Sequence, residues 1–251
     1  MNSCDQLVEQ TVRAEYDAKA DTYPQLYRGR DRVAHFLKAR LACVRELLGE
    51  CNGTRVLEVG CGPAMLAGEL ARNGCMYYGV DISERMIRQC RMRFGHLTDA
   101  HFSVGSIRQL DVADASFDVV LCLGVLEYVQ NERAAVREMA RVLDHGGHLI
   151  LSGNNKWSPR NVWRRWVHRA SDRSPQQTIV RTYHSEEEYR RLLTDRFSVQ
   201  DVRYFDFSLL PTPIAERFPG VAGFVHRRFG VLRQGVLRRL GNGFVVVATK
   251  R

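Results

Sequence analysis

The chain has 251 residues, enough for one sizeable hydrophobic core and short for two independent ones. Apolar residues make up 45% and charged residues 26%, a globular balance that excludes a disordered or fibrous chain. The net charge of +9 is C-terminal in origin, because residues 1–150 carry 18 basic and 20 acidic groups while residues 151–251 carry 19 and 8. A basic half of this kind suits an anionic substrate, a membrane surface or nucleic acid, and equally a plain solvated face. No run of 18 uncharged apolar residues occurs, and the polar, acidic N-terminus does not read as a secretory leader. The seven cysteines form no C-x-x-C pair and no regular spacing, so the reading places the chain, with its thiols reduced, in the cytosol.

In chain order, the first 50 residues read as a helical lid. Within AEYDAKADTYPQLY, Tyr16 and Tyr23 are seven apart and so share one face of a single helix, where they serve either a ligand or ordinary packing. From residue 55 short apolar runs alternate with amphipathic ones, the pattern of a parallel sheet with crossover helices. The expected strands are Arg55 to Val59, Met76 to Val80, His101 to Val104, Phe117 to Leu123 and His148 to Ser152. Pro63 suits a first helical position and Gly74 a C-terminal cap, with Leu66 and Leu70 one turn apart between them. Ser83 caps the next helix, whose apolar face is Met86, Ile87, Cys90 and Phe94. A further helix from about Asn131 buries Val136, Met139 and Leu143 before a Gly146-Gly147 stop.

After Gly153 the stretch NKWSPRNVWRRWVHR predicts an inserted helix over the sheet edge, with Trp157, Trp163 and Trp166. Ser185 and Glu188 have capping-box spacing and open the helix EEEYRRLL, which leads into the strand FSVQDVRYF. The terminal FVVVATKR has to enter an existing sheet and is placed antiparallel between its neighbours. Residues 211–243 mix phenylalanines and leucines with Arg217, Arg227, Arg228, Arg233, Arg238 and Arg239. That mixture fits an anionic bilayer, the mouth of a pocket for an apolar acceptor, or a cap packed on the sheet.

The sharpest motif is VLEVGCGPA, residues 56–64, at a strand-to-helix junction where Gly60 and Gly62 let the backbone approach a ligand. Asp81 ends the next strand, and an acid there can accept both hydroxyl protons of a ribose. Together they point to an adenosine-containing ligand without choosing between a dinucleotide and a sulfonium.

The choice comes from resemblance. The VLEVGCGPA loop, YGVDIS, VGSIRQLDVADASFDVVLCLGVLEYV and RVLDHGGHLILS, spanning residues 55–153, resemble the class I methyltransferases dependent on S-adenosylmethionine (SAM), in particular the small-molecule group that includes ubiquinone- and menaquinone-type enzymes. The resemblance implies an α/β, Rossmann-like sheet of seven strands, the last antiparallel, with helices on both faces and a helical lid. It implies one domain: lid at 1–50, cofactor core at 55–153, substrate-side insertions and a strand pair at 154–251. It further implies that Glu58, Gly60 and Gly62 line the methionine end of SAM, that Asp81 holds the ribose, and that Ile82 packs on adenine. Ser106 and Ile107 stand where the family has an acid for the adenine amino group, and Ala64 replaces a third glycine. Leu123 and Gly124 face the sulfonium, and Tyr16 and Tyr23 close over the cofactor.

Methyl transfer from a sulfonium is an in-line displacement with an activated leaving group, so alignment and water exclusion dominate. A hydroxyl acceptor also needs its proton removed, and the candidate acid-base or orienting residues are Tyr128 and His184. For Tyr128 the expectation is orientation of a substrate oxygen; for His184 a capping role competes with catalysis. The expected reaction is methylation of a small or lipid-like acceptor, with peripheral contact at an anionic membrane surface. A nucleic-acid methyltransferase and a SAM-binding protein without transfer remain the alternatives. No histidine, cysteine and acid group has metal-ligand spacing, and the oligomeric state is not legible.

Overall fold

The computed structural model describes residues 3–170, 181–208, 217 and 236–251, without side chains at 3–4 and 168–170. Seven strands form one sheet in the order β3-β2-β1-β4-β5-β7-β6. They are β1 (Arg55–Val59), β2 (Met76–Asp81), β3 (Ala100–Val104), β4 (Phe117–Leu123), β5 (Leu143–Asn154), β6 (Phe197–Phe205) and β7 (Gly243–Lys250). The first five are parallel, and β7 enters antiparallel between β5 and β6, as expected for a strand with no other free position.

Buried on both faces, the central strands are near-continuous apolar runs whose successive residues feed opposite layers. Val56, Leu121, Ile150 and Val245 pack under α2 (Arg32–Leu48), α3 (Ala67–Arg72) and α4 (Glu84–Phe94). Leu57, Val120, Leu149 and Val246 pack under α5 (Glu132–Val142) and α7 (Glu186–Leu193). Caps begin several of these helices where the sequence predicts: Ser83 Oγ accepts from the Met86 amide, Asn131 Oδ1 from Ala134, and Ser185 and Glu188 form a reciprocal capping box. In α4 the expected face of Met86, Ile87, Cys90 and Phe94 is buried.

Four expectations need correction. The helix after the glycine loop begins at Ala67 rather than Pro63, because Ala64, directly after Pro63, has a positive φ of 48°, which no right-handed helix accepts; Gly60 and Gly62 before it are left-handed too (69° and 50°). The helix α5 stops at Val142, and Gly146-Gly147 lie inside β5, where the register against β4 shifts between Phe117 and Val119. Tyr16 and Tyr23 do not share a helix: α1 (Ser3–Lys19) ends before a turn, and Pro24 opens a separate 3-10 helix, Tyr23–Tyr27. The cysteines are not all free, since Cys51 and Cys75 are disulfide-bonded, Cα atoms 5.7 Å apart. Each precedes a strand of the β1/β2 pair, so parallel pairing joins residues 24 apart in a way that spacing alone does not reveal. Such a bond is unusual in a reducing compartment.

The tryptophan-rich insertion is a helix, α6 (Pro159–Ala170). No described helix is long and apolar enough to cross a membrane. Of the 211–243 stretch, residues 211–216 and 218–235 lie outside the described residues, and with them the expectations for Phe218, Phe224, Phe229, Leu232, Arg227, Arg228 and Arg233.

Candidate active site

Strand order reverses between β1 and β4, and at such a switch point the loops leaving the strand ends diverge and open a crevice. A cavity of about 1080 Å³, counting its open mouth, lies there. Its floor is the β1 end and glycine turn, Glu58 to Pro63; one wall is Asp81, Ile82, Gly105 and Ile107; another is Leu123, Gly124 and Tyr128.

The glycine turn is held by geometry that other residues do not tolerate. The Gly60 and Cys61 amides donate to the Val80 carbonyl at 2.7 and 3.1 Å, tying the turn to β2. A Cβ on Gly60 would stand 2.3 Å from Val125 Cγ2, whereas one on Gly62 would have Tyr23 Cε1, at 3.9 Å, as its nearest neighbour and would project into the cavity. Asp81 secures the turn from the side: Oδ2 accepts from the Gly62 amide and Oδ1 from the Ser83 amide, both at 2.8 Å. Burial raises the Asp81 pKa against the lowering effect of these amides. Glu58, also buried, accepts from the Tyr77 hydroxyl at 2.6 Å; burial pushes its pKa up to about 7, although Tyr77 and the charge of Arg40 oppose the shift.

The helix α1 covers the cavity, placing Val8, Val12 and Tyr16 over it. It is tied down at both ends. Arg108 pairs with Asp5 and Glu9; at the other end, Asp17 Oδ1 accepts from Ser83 Oγ at 2.6 Å and Asp21 pairs with Arg85 at 2.7 Å. The Tyr16 ring meets Tyr23 at 5.6 Å and Tyr128 at 5.7 Å, both edge to face, with the Tyr16 hydroxyl donating to that of Tyr128. Burial holds all three phenols above their ordinary range, so they are neutral donors rather than bases at neutral pH.

Of the residues expected at the site, Tyr16, Tyr23, Glu58, Gly60, Gly62, Asp81, Ile82, Ile107, Leu123 and Tyr128 line this cavity. Ser106 and His184 do not. Ser106 Oγ accepts from the Arg108 amide at 3.2 Å, and the buried His184 ring pairs through Nε2 with Glu132 at 2.6 Å while its backbone bonds Asn154 and Lys156. The sequence reading missed Tyr27 and Arg40, both cavity-lining. Arg40 stands on the buried stripe of α2 with Leu37, Leu41 and Val44, a basic residue on an apolar face, and that pattern was the available signal. Its Nη2 donates to the Tyr27 hydroxyl at 3.3 Å, and its buried Nε has no hydrogen-bond partner. Among the described residues no cluster of His, Cys, Asp and Glu is arranged to hold a metal ion.

Comparison with known proteins points the same way as the geometry. Residues 57–151 match the model of a methyltransferase domain. That match runs from β1 into β5 and takes in the glycine turn and Asp81. A ubiquinone biosynthesis O-methyltransferase of Alkalilimnicola ehrlichii is 34% identical to it over 152 residues, covering 57% of this chain and 59% of the relative, so the chain spans about three fifths of that protein. The magnesium protoporphyrin IX methyltransferase of Synechocystis PCC 6803, solved with bound S-adenosylhomocysteine (SAH), superposes with a TM-score of 0.68 at 20% identity over 97% of this chain and 100% of that one. A chain from the complex of the Haloferax volcanii Trm112 methyltransferase activator with a methyltransferase gives 0.68 at 22% identity, over 94% and 97%. At these identities the structural likeness speaks for the fold.

The cavity fits SAM on chemical grounds. Asp81 retains acceptor capacity for ribose hydroxyls, since each carboxylate oxygen takes more than one donor. Ile82 and Ile107 offer apolar faces to a flat base. Arg40, a buried cation with an unused N–H, calls for a carboxylate such as that of the methionine moiety.

Proposed function

We propose that this protein transfers the methyl group of SAM to a hydroxyl, amine or activated carbon of a small or lipid-like acceptor and releases SAH. The observation that carries the reading is the convergence, in one cavity, of the glycine turn, the Asp81 carboxylate and the unpartnered Arg40 Nε under a roof of neutral tyrosines. When bound, SAM supplies an electrophilic methyl group on a positive sulfur. The chain's own contribution is placement: Gly62 keeps the floor free of a side chain, Arg40 and Asp81 fix two ends of the ligand, and α1 excludes water. Tyr128, at the edge of the cavity, is suited to orient an acceptor oxygen; His184, already paired with Glu132, is suited to holding the chain against the end of β5.

The exposed face of α6 and the residues before it support a site that works at a membrane surface. Trp157, Val162 and Trp166 are 62%, 43% and 69% exposed, and Lys156 lies over the Trp157 ring. Asn155 Nδ2 donates to the carbonyls of Arg239 and Gly241, which brings the 3-10 helix Val236–Leu240, with exposed Leu237, beside this face. Exposed indoles among basic side chains suit the headgroup region of an anionic bilayer, and a lipid-like acceptor would be met there.

The test is SAH formation from SAM on presentation of phenol, amine and activated-carbon acceptors, free in solution and in vesicles. Turnover of one class supports the reading; tight SAM binding with no SAH from any of them contradicts transfer.

A further inference from the structure

Against Tyr128, a residue of the cavity lining, stands a cation that is not itself part of that lining. The Thr182 amide donates to the Glu127 carbonyl at 2.9 Å, which fixes the neighbouring Arg181 beside the 3-10 turn Leu126–Tyr128. The Arg181 guanidinium lies over the Tyr128 ring, 5.3 Å from its centroid, and the residue is exposed. Among the described residues it has no hydrogen-bond partner. The nearest carboxylate whose charge it feels is Glu127, and both Glu127 oxygens already accept from Asn154 Nδ2 at 2.6 Å.

The titratable groups nearby are protonated or already hydrogen-bonded within the fold. Tyr16, Tyr23 and Tyr128 are held protonated by burial. Glu58 lies beneath the Tyr77 hydroxyl, and Asp81 faces the Gly62 and Ser83 amides. His184, the expected alternative base, is outside the cavity and bound to Glu132. A hydroxyl acceptor placed against Tyr128 would have a cation and neutral phenols around it, an arrangement that favours its ionised form.

We propose that Arg181 is the anion-recognition residue of the acceptor site and that the acceptor enters as an oxyanion, an ionised acidic hydroxyl such as a phenolate. This rests on the methyl-transfer reading above and names its acceptor. A guanidinium lying over a ring still presents planar N–H donors to a planar anion, which a lysine ammonium matches less well. In the reaction one lone pair of the acceptor oxygen forms the O–CH3 bond as the C–S bond breaks, and the electrons of that bond remain on sulfur. The negative oxygen and positive sulfur neutralise each other, and no proton has to leave.

The experiment uses 4-nitrophenol, whose ionised form absorbs at longer wavelength, titrated over pH against the full chain loaded with SAH. Bound probe should ionise at lower pH than free probe, by about tenfold or more in its ionisation constant. Arg181→Gln should abolish that displacement and Arg181→Lys should retain part of it, while calorimetric SAH affinity stays at the wild-type value in both. Identical ionisation of the probe with wild type and Arg181→Gln, or no spectral change with wild type, overturns the proposal while leaving the cofactor reading intact. Failure of the wild-type chain to bind SAH overturns both.

Discussion

Asp81 is a fold-forming side chain placed at the proposed ligand site. Its oxygens accept the Gly62 and Ser83 amides, so it shapes the glycine turn before any ribose arrives. Asp81→Asn keeps one carbonyl oxygen for an amide but removes the charge; SAH affinity measured by calorimetry should fall by about 1.5–3 kcal/mol, the range for a charged hydrogen-bonded contact. Unchanged affinity would reject the ribose assignment. Gly60 is constrained twice, by a φ of 69° and by Val125. Gly60→Ala should therefore lower stability by roughly 2 kcal/mol or more in thermal unfolding, and an unaltered midpoint would mean that the turn relaxes freely. The setting of Gly60, Gly62 and Asp81 in the cavity was legible in sequence because it depends on the backbone at a strand end, which local pattern determines. Arg40 was not read, since motif reasoning stops at the loop and Arg40 reaches the cavity from a helix packed against it. Ser106 and His184 fall outside the lining: the Ser106 hydroxyl turns to the Arg108 amide and the His184 ring to Glu132, partnerships that position in sequence does not show.

At the scale of elements, periodicity located β4, β6 and α7 to the residue, because each is bounded by clear turn or capping signals. Boundaries failed where backbone geometry overrode composition. Proline after a glycine turn reads as a helix start, but three left-handed residues postpone α3, and paired glycines read as a helix stop although they form the bulge of β5. The helix α6 was legible as an element; which face it exposes was not, since three tryptophans in a short basic segment fit either a buried or a surface role. The structure exposes Trp157 and Trp166, and that makes α6 testable. The double variant Trp157→Ser, Trp166→Ser should bind phosphatidylglycerol vesicles at least tenfold more weakly than wild type in cosedimentation, about 1.4 kcal/mol, with SAH affinity intact. Equal sedimentation of the two proteins would remove the membrane from the account.

Over the whole molecule, the order β3-β2-β1-β4-β5-β7-β6 places the diverging loops at the β1/β4 boundary, so the topology sets the location of the cavity and the loop residues determine what it binds. That topology was legible because a late strand with no free edge leaves few arrangements; the Cys51–Cys75 bond was not, because it depends on strand pairing between distant residues. Burying acids at the cavity floor also gives stability a pH signature. Glu58 has its pKa raised from 4.5 to about 7, so the folded state holds its proton more tightly than the unfolded chain does. Its favourable contribution is complete below pH 4.5 and is lost as pH rises through 7. Urea unfolding at pH 5 and pH 8 should show wild type losing on the order of 2–3 kcal/mol relative to Glu58→Gln, and a pH-independent difference would contradict the burial effect. The central claim concerns the ligand, and calorimetric titration of the purified chain with SAM, SAH and NAD tests it most directly. Saturable binding of SAM and SAH at one site per chain, with NAD silent, is the predicted result; binding of NAD without either sulfur compound would contradict the account.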